Sequence, residues 1–370
     1  MKIGILGGGQ LGRMLIQEAL KYDDEFYILD PNEDCSCANI SFFTQGDFNK
    51  KEDVLQFGQD KDVVSIEIEH VNVESLEELE KQGIKVIPNS NIIKIIQQKI
   101  HQKQFYKHHQ IPSPDFQVIQ SLKEEVRIGF PFVQKLNTGG YDGKGVQVIM
   151  SEKDLEQMWD EPSVLENLVD IDKELSLIIA KNERGEIKSF PVTEMVADPK
   201  LNLLDFNICP TQISADVQTQ IDIIAEKFII AADSEGLFAI ELFLDKGGKV
   251  WVNETAPRLH NSGHQTQEGN VNSQFEQFYR VLKNLPLADT SASGFSGMLN
   301  LVGEQNYTGK VKYEGLENVL KLPNTYVHLY GKTETKPGRK MGHINVLANS
   351  RQELLQQLID VKSLVKVVSV

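Results

Sequence analysis

The sequence predicts an α/β protein that opens with a doubly wound parallel sheet, passes through a mixed α+β centre and ends in a small β-rich part. Three observations carry this. The first ninety residues alternate short apolar strands with helical stretches, the pattern of βαβ units. A glycine run follows the first strand directly, as at the first βα turn of many doubly wound sheets. From Phe130 the character changes to strands joined by turns.

Taken in order, Ile3–Leu6 is a strand, and Leu11, Met14, Leu15 and Ala19 recur behind it at helical spacing. Phe26–Leu29 and Val63–Ile68 are further strands, Ser75–Lys81 is a charged helix, and the strand Lys85–Ile87 stops at Pro88. Asn89 to His109 is helical and is broken by Ile111-Pro112-Ser113-Pro114. Strands Phe132–Leu136 and Val146–Met150 flank a glycine-rich loop. Ser151 and Asp154 form a capping box for a helix through Trp159. Strands follow at Val164–Leu168, Glu174–Ala180 and Lys188–Val192, with a turn at Asn182–Gly185. The helix Asp216–Ala232 precedes a hairpin of Phe238–Leu244 and Lys249–Asn253. The Ser/Thr/Gly-rich stretch Asp289–Gly297 marks a late boundary, followed by short strands and a helix at Arg351–Val361.

Composition narrows the function. With 40% apolar and 25% charged residues in 370, the chain is an ordinary globular protein, and its apolar runs fall far short of the ~20 residues a membrane helix needs. The start reads straight into a strand rather than a signal segment, and three cysteines are too few for a disulfide framework, so a reduced, cytoplasmic protein is expected. A net charge of −15 argues against nucleic acid and anionic membranes as partners. Residues 291–370 nevertheless carry ten Lys/Arg against six Asp/Glu, with a cluster from Lys332 to Lys340. A small anionic ligand fits that distribution.

Several motifs carry chemistry. Gly7-Gly8-Gly9-Gln10-Leu11-Gly12 satisfies G-x-G-x-x-G, and Asp30 closes the next strand 18 residues later. That pattern suits a dinucleotide, the phosphate of another ligand at a helix N-terminus, or a tight turn with no ligand, and it does not choose among them. The stretch Lys135 to Gly145 holds four glycines and two lysines between strands, so its N–H groups can fold over a polyphosphate, although it is not a Walker loop. Glu67 and Glu69 end the strand from Val63 two residues apart, which places both on one face at the carboxyl edge of the sheet.

The hairpin carries the strongest physical constraint. A two-residue Gly247-Gly248 turn makes paired residue numbers total 495, which sets Glu241 opposite Glu254. Two carboxylates held ~4.5–5.5 Å apart at Cβ call for a cation between them. A hard divalent ion such as Mg²⁺ (Mn²⁺ being the alternative), completed by phosphate and water, suits that pair, with Asn253 adding an oxygen. A one-residue bulge would instead turn the two glutamates to opposite faces. Arg258, His260 and Asn261 follow within a few residues and can hold a small planar oxyanion beside the metal.

In this order, GGGQLGRM, EIEHV, YDGKG, VNETAPRLHNSGH and YGKTETKPGRKMGH, the motifs resemble those of the N5-carboxyaminoimidazole ribonucleotide synthetases, ATP-grasp carboxylases of purine synthesis. The resemblance implies a preATP-grasp, Rossmann-like domain at 1–98, an ATP-grasp domain at 99–290 and a small C-terminal domain at 291–370. It implies ATP, Mg²⁺, bicarbonate and 5-aminoimidazole ribonucleotide as ligands, carboxyphosphate as intermediate, and a homodimer. Lys99 and Lys135 would meet ATP phosphates under the loop Gly140, Tyr141, Asp142, Gly143, Lys144, Gly145 and Val146. Glu166, Asn167, Leu168 and Val169 would read adenine, Glu174 the ribose, and Asn253 would join Glu254 at the nucleotide. Glu241 and Glu254 would hold the metal. Arg258, His260 and Asn261, with Lys144, would act on bicarbonate and carboxyphosphate. Gln10, Leu11, Glu67 or Glu69, Tyr141, Asp142, Lys332, Arg339 and Lys340 would hold the ribonucleotide. Alternatives are another ATP-grasp ligase, such as a formate-dependent transformylase or a biotin-type carboxylase subunit, and an NAD-dependent oxidoreductase using Asp30.

Overall fold

A computed structural model describes residues 1–139, 145–197 and 204–370. The chain begins with β1 (Lys2–Leu6), α1 (Gln10–Ala19), β2 (Glu25–Asp30), β3 (Phe42–Gln45), α2 (Lys51–Gly58), β4 (Val63–Ile66), α3 (Val73–Lys81), β5 (Lys85–Ile87) and α4 (Ser90–Ile96). The five strands form one parallel sheet in the order β3-β2-β1-β4-β5. The sequence pattern does not reveal β3 or α2. The first is a four-residue edge strand with no fully buried residue, and the second fully buries only Val54, Phe57 and Gly58.

Strand β4 is shorter than the apolar alternation suggests. Its neighbours β1 and β5 end at Leu6 and Ile87, so the ladder has no partners beyond Ile66 and Glu67 makes the last bond, to the Leu6 carbonyl. Glu67 and Glu69 therefore sit in the bend beyond the strand rather than on one face of it. The helical stretch from Asn89 likewise splits in two. After α4, the side chain of Gln97 donates to the carbonyls of Glu69 and Val71. A new helix, α5 (Lys99–His108), then starts under a cap from a distant loop: Asn137 accepts from the backbone of Lys99 and of Ile100.

A four-stranded antiparallel sheet follows, ordered β6-β9-β7-β8, from β6 (Phe116–Ile119), β7 (Phe132–Leu136), β8 (Val146–Ile149) and β9 (Ser163–Asn167). The Ser151–Asp154 capping box is present but heads only a 3₁₀ turn, Glu152–Gln157, which fully buries no residue and so has no face to extend a helix along.

The remaining strands are β10 (Ile171–Lys181), β11 (Ile187–Ser189), β12 (Thr193–Ala197), β13 (Leu204–Ile208), β14 (Gly236–Asp245), β15 (Val250–Ala256), β16 (Phe295–Val302), β17 (Gly309–Glu314), β18 (Thr325–Leu329), β19 (Glu334–Thr335), β20 (Lys340–Ala348) and β21 (Lys366–Ser369). Between them lie α6 (Ala215–Ala232), α7 (Thr266–Gly269), α8 (Gln274–Leu282), α9 (Leu316–Val319) and α10 (Arg351–Leu364). One long sheet runs β15-β14-β10-β12-β13-β16-β20-β18, with β11 beside β10. It crosses the Ser/Thr/Gly-rich stretch near 290, because β16 pairs with β13 at Phe206 and Leu299. A smaller sheet, β19-β17-β21, completes the C-terminal part.

Two cores hold the hairpin and the glycine turn in place. Helix α6 buries Val217, Ile221, Ile224, Phe228 and Ile229 against the inner faces of β10, β14 and β15, which keeps the hairpin rigid. Leu11, Met14 and Leu15 of α1 share a second core with Phe275, Phe278 and Tyr279 of α8 and with Tyr330. The glycine turn is thereby locked between the centre and the C-terminal part.

Candidate active site

Glu241 does pair with Glu254, although not through the turn the sequence suggests. The hairpin loop has three residues, Lys246–Gly248, closed by the Asp245 N–H to the Lys249 carbonyl at 2.9 Å, with Gly248 at φ +85°. Asp245 fixes it by accepting from the Lys249 N–H and from the Trp251 indole. Next to the turn, Leu244 consequently faces Val250 and Leu242 faces Val252, one position short of the expected register. An extra residue at Asn253 then makes a bulge that restores the register at Glu241 and Glu254. The Asn253 amide donates to Glu241 Oε2 at 3.2 Å, so the bulged side chain bridges toward the acids.

The two carboxylates are driven apart in acidity. Burial, and then the charge of Glu254, raises Glu241, whereas the ammonium of Lys99, hydrogen-bonded to Glu254, lowers Glu254 against the opposing effect of burial. The donors are all hard oxygens, two from carboxylates and one from an amide. That set fits Mg²⁺ or Mn²⁺ with its remaining positions filled by phosphate and water. Among the described residues no third acidic, histidine or cysteine ligand joins them. Lys99 is the group that a bound cation would have to part from Glu254.

Behind this pair runs a line of alternating charges. Lys135 Nζ donates to Asn253 Oδ1 at 2.8 Å and to Glu166 Oε2 at 3.0 Å, and Lys103 Nζ lies 3.2 Å from Glu166 Oε1. Burial would raise Glu166, but Lys103 and Lys135 outweigh it and hold the carboxylate below its usual range. Burial pulls Lys103 down to about 8, against the charge of Glu166. Lys103 is missing from the sequence-derived site residues, although its position one helical turn after Lys99 on α5 is the available signal. Asn167 and Leu168 are exposed and Val169 partly so, in the exit from β9. Glu174 on β10 lies opposite Phe243 and Met195, and burial pushes its pKa above the usual carboxylate value. Gly145 accepts from Leu136 N–H, and Val146 pairs with Lys135. Gly140, Tyr141, Asp142, Gly143 and Lys144 lie outside the described residues.

The segment after β15 brings His260 beside the Glu241–Glu254 pair. Arg258 Nη2 meets Glu69 Oε1 at 2.7 Å, which overcomes the burial of that carboxylate and holds it below its usual range. His260 is clamped at both ends of its peptide by Gln274, whose Oε1 accepts from its N–H and whose Nε2 donates to its carbonyl. Gln274 is fully buried and lies outside the sequence-derived set. His260 Nδ1 meets Ser262 Oγ at 2.8 Å, and its Nε2 stands 3.6 Å from Glu241 Oε1. Burial, with Arg258 and Lys340 adding to it, pulls the ring down to about 4, so it is neutral near pH 7. Both polar atoms of the Asn261 side chain are buried without a hydrogen-bond partner among the described residues. Buried amides are rarely left so, and the neighbourhood suits a small polar ligand.

On the other side stands the glycine turn. Asp30 accepts the Gly8 N–H at 2.7 Å and the Asn32 N–H at 2.8 Å, and Cys35 covers Gly8, where a β-carbon would stand 2.4 Å from its sulfur. Glu67 fills the N-terminus of α1, taking the Leu11 N–H at 3.1 Å and lying against Gly9. The motif thus holds its own carboxylates where a dinucleotide would need its pyrophosphate and ribose. The side chain of Gln10 accepts from Lys332 Nζ at 2.9 Å, and Lys332 also donates to the Lys340 carbonyl at 2.7 Å. Arg339 turns instead to the Glu334 carbonyl.

Burial raises Glu67 to about 7, only partly offset by Arg258, the Leu11 N–H and Lys332. An acid whose folded value exceeds its unfolded one binds more protons in the folded state, so its stabilising share is present below about pH 4.5 and lost as pH rises through about 7. Glu67→Gln keeps an acceptor for Leu11 and removes that loss. Its melting temperature is expected to exceed that of the parent protein by a few degrees at pH 8 and to match it at pH 5. Equal melting temperatures at both values would refute the assignment.

Residues 1–97 match the ribonucleotide synthetase preATP-grasp domain, 104–275 the ATP-grasp domain, and 296–357 the phosphoribosylaminoimidazole carboxylase C-terminal domain. The fold and the site thus define an ATP-grasp ligase. The chain is 39% identical to the N5-carboxyaminoimidazole ribonucleotide synthetase of Thermotoga maritima, covering 100% of this chain and 99% of that one with a TM-score of 0.92. It is 35% identical to the corresponding synthase of Saccharolobus solfataricus, over 98% of this chain and 96% of that protein. The Aspergillus clavatus synthase in complex with ADP and 5-aminoimidazole ribonucleotide matches at 32% identity and a TM-score of 0.86, over 98% of both chains. The chain spans about two thirds of the length of other curated relatives, such as the Candida glabrata phosphoribosylaminoimidazole carboxylase, 36% identical over 96% of this chain and 65% of that protein. It belongs to the N5-carboxyaminoimidazole ribonucleotide synthetase family.

Proposed function

We propose that this chain joins bicarbonate to the exocyclic amine of 5-aminoimidazole ribonucleotide while ATP is converted to ADP and phosphate. The observation that carries the reading is the Glu241–Glu254 pair with the neutral His260 beside it and with Asn261, whose amide has no partner among the described residues, next to it in sequence. Relatives in complex with ATP, or with ADP and the ribonucleotide, support it.

Bicarbonate is a poor electrophile, so it is first activated. One of its oxygens attacks the γ-phosphorus, ADP leaves, and carboxyphosphate results. The amine then attacks the carboxyl carbon, phosphate leaves and the amine proton is lost. Glu241 and Glu254 would hold Mg²⁺, and the ion when bound would supply neutralisation of negative charge at the phosphoryl group. Lys99 and Lys135 bind phosphate oxygens, and Arg258 with Lys144 stabilises those that become equatorial. Glu174 takes the ribose, the 166–169 segment takes adenine, and Asn253 steadies Lys135. Asn261 orients bicarbonate with its side-chain amide. The ribonucleotide is assigned to Tyr141, Asp142 and Glu67, and its phosphate to Lys332, Arg339 and Lys340. The reading carries with it a cytoplasmic homodimer, and no helix among the described residues is long and apolar enough to cross a membrane.

The test is phosphate release from ATP with each of Mg²⁺, bicarbonate and the ribonucleotide omitted in turn. Turnover that requires all three and yields the N-carboxylated product supports the reading. ATP binding without turnover on that ribonucleotide would leave the class and overturn the substrate.

A further inference from the structure

Arg13 has no part in the proposed reaction, yet it stands where the first and last parts of the chain meet. It lies on α1, three residues after Gln10, and its Nη1 donates to the Ser36 carbonyl at 2.8 Å. The guanidinium is laid over Gly331. A β-carbon at that glycine would stand 3.2 Å from Nη1, 3.3 Å from Cζ and 3.7 Å from Nη2 of Arg13. Gly331 has φ +72°, the left-handed region in which glycine is least strained, so a side chain there would strain the backbone and push the Arg13 guanidinium back by a few tenths of an ångström.

The neighbours of Gly331 are held by the same helix. Tyr330 is buried in the core that contains Leu11, Met14 and Leu15, and its hydroxyl meets His343 Nδ1 at 2.9 Å. Lys332 bonds to Gln10 Oε1 and to the Lys340 carbonyl. Three consecutive residues of the C-terminal part are therefore seated on α1, by apolar packing, by a guanidinium and by an amide in turn. Only a planar cation can lie flat on a glycine backbone while donating sideways to a carbonyl, which a lysine ammonium does not reproduce.

We infer that Arg13 is a positioning residue that clasps the Tyr330–Lys332 corner to α1 and so sets the Lys332 ammonium for the anionic end of the substrate. The inference rests on the proposed reading of Lys332 as a contact to the ribonucleotide phosphate. A clasp of this kind acts through Lys332 alone. It predicts an effect on a phosphorylated substrate and none on its phosphate-free counterpart.

The test uses the full chain with 5-aminoimidazole ribonucleotide and with the corresponding riboside, the latter measured as a competitor. In Arg13→Met the KM for the ribonucleotide is expected to rise about tenfold, with kcat and the KM for ATP within about twofold. Inhibition by the riboside should not change. Arg13→Lys, which keeps the charge and most of the bulk, should fall between, and Gly331→Ala should reproduce Arg13→Met. In a Lys332→Met background the Arg13 substitution should add less than about twofold. An equal loss for ribonucleotide and riboside, a matching loss for ATP, or full additivity with Lys332→Met would overturn the clasp. Absence of turnover in the parent protein would instead overturn the reading of the site, which keeps the two failures distinct.

Discussion

Glu254→Gln is expected to lower kcat for Mg²⁺-dependent ATP turnover by roughly 10³-fold or more. The substitution keeps the shape of the side chain and removes one of two charges held opposite each other on β14 and β15. In the metal-free protein it relieves the repulsion that raises Glu241, while Lys99 keeps Glu166 and Glu241 nearby. The fold should survive, with a melting temperature close to that of the parent. What is lost is half of the formal charge that the cation meets, so the Mg²⁺ concentration needed for half-maximal rate should also rise. Steady-state rates across a Mg²⁺ titration read both effects. A kcat within about threefold of the parent at saturating Mg²⁺ would remove Glu254 from the metal site.

His260→Ala should cost carboxylation about 10²-fold, at the lower end of what a positioned proton donor or acceptor contributes. The Ser262 backbone N–H donates to His260 Nδ1, which assigns Nδ1 as the acceptor and the single ring proton to Nε2. That proton faces the space beside Glu241. Under the proposed reaction the ring would offer a hydrogen bond to the oxyanion that departs when carboxyphosphate breaks down. His260→Gln keeps a donor and should recover part of the rate. The measurement is carboxylated product formed per ATP consumed, because loss of this contact leaves phosphate transfer running while carboxyl transfer lags. Full product yield from His260→Ala would rule the role out.

The parts of this protein that were legible in the sequence are those decided within a few residues. The strand–turn–helix at the glycine run, the apolar stripe of α1 and the length of α6 all follow from local periodicity and turn preference. The acidic pair was legible too, but for an incomplete reason. The expected two-residue turn is a three-residue turn, and the bulge that should have separated the glutamates is what brings them together. Two one-residue displacements cancel. Neither is visible locally, because the turn depends on Asp245 reaching Lys249 and Trp251, and the bulge places Asn253 between Lys135 and Glu241.

Elsewhere the partner lies far along the chain and no window of residues contains it. Glu67 and Glu69 carry the spacing of a strand face, yet β4 stops where both its neighbours stop. Asp30 carries the spacing of a ribose ligand, yet its oxygens are taken by Gly8 and Asn32. Lys103 and Gln274 read as ordinary helix residues, and only packing sets one against Glu166 and the other around His260. By itself the sequence determined most of the element types (β3, α2 and the 3₁₀ turn at Glu152–Gln157 excepted) and the five motifs with the chemistry each residue type suits, since these rest on backbone preference and side-chain type. The tertiary structure decided which carboxylate meets which cation and which polar groups remain unpaired, because those energies arise between residues that only folding brings within a few ångströms.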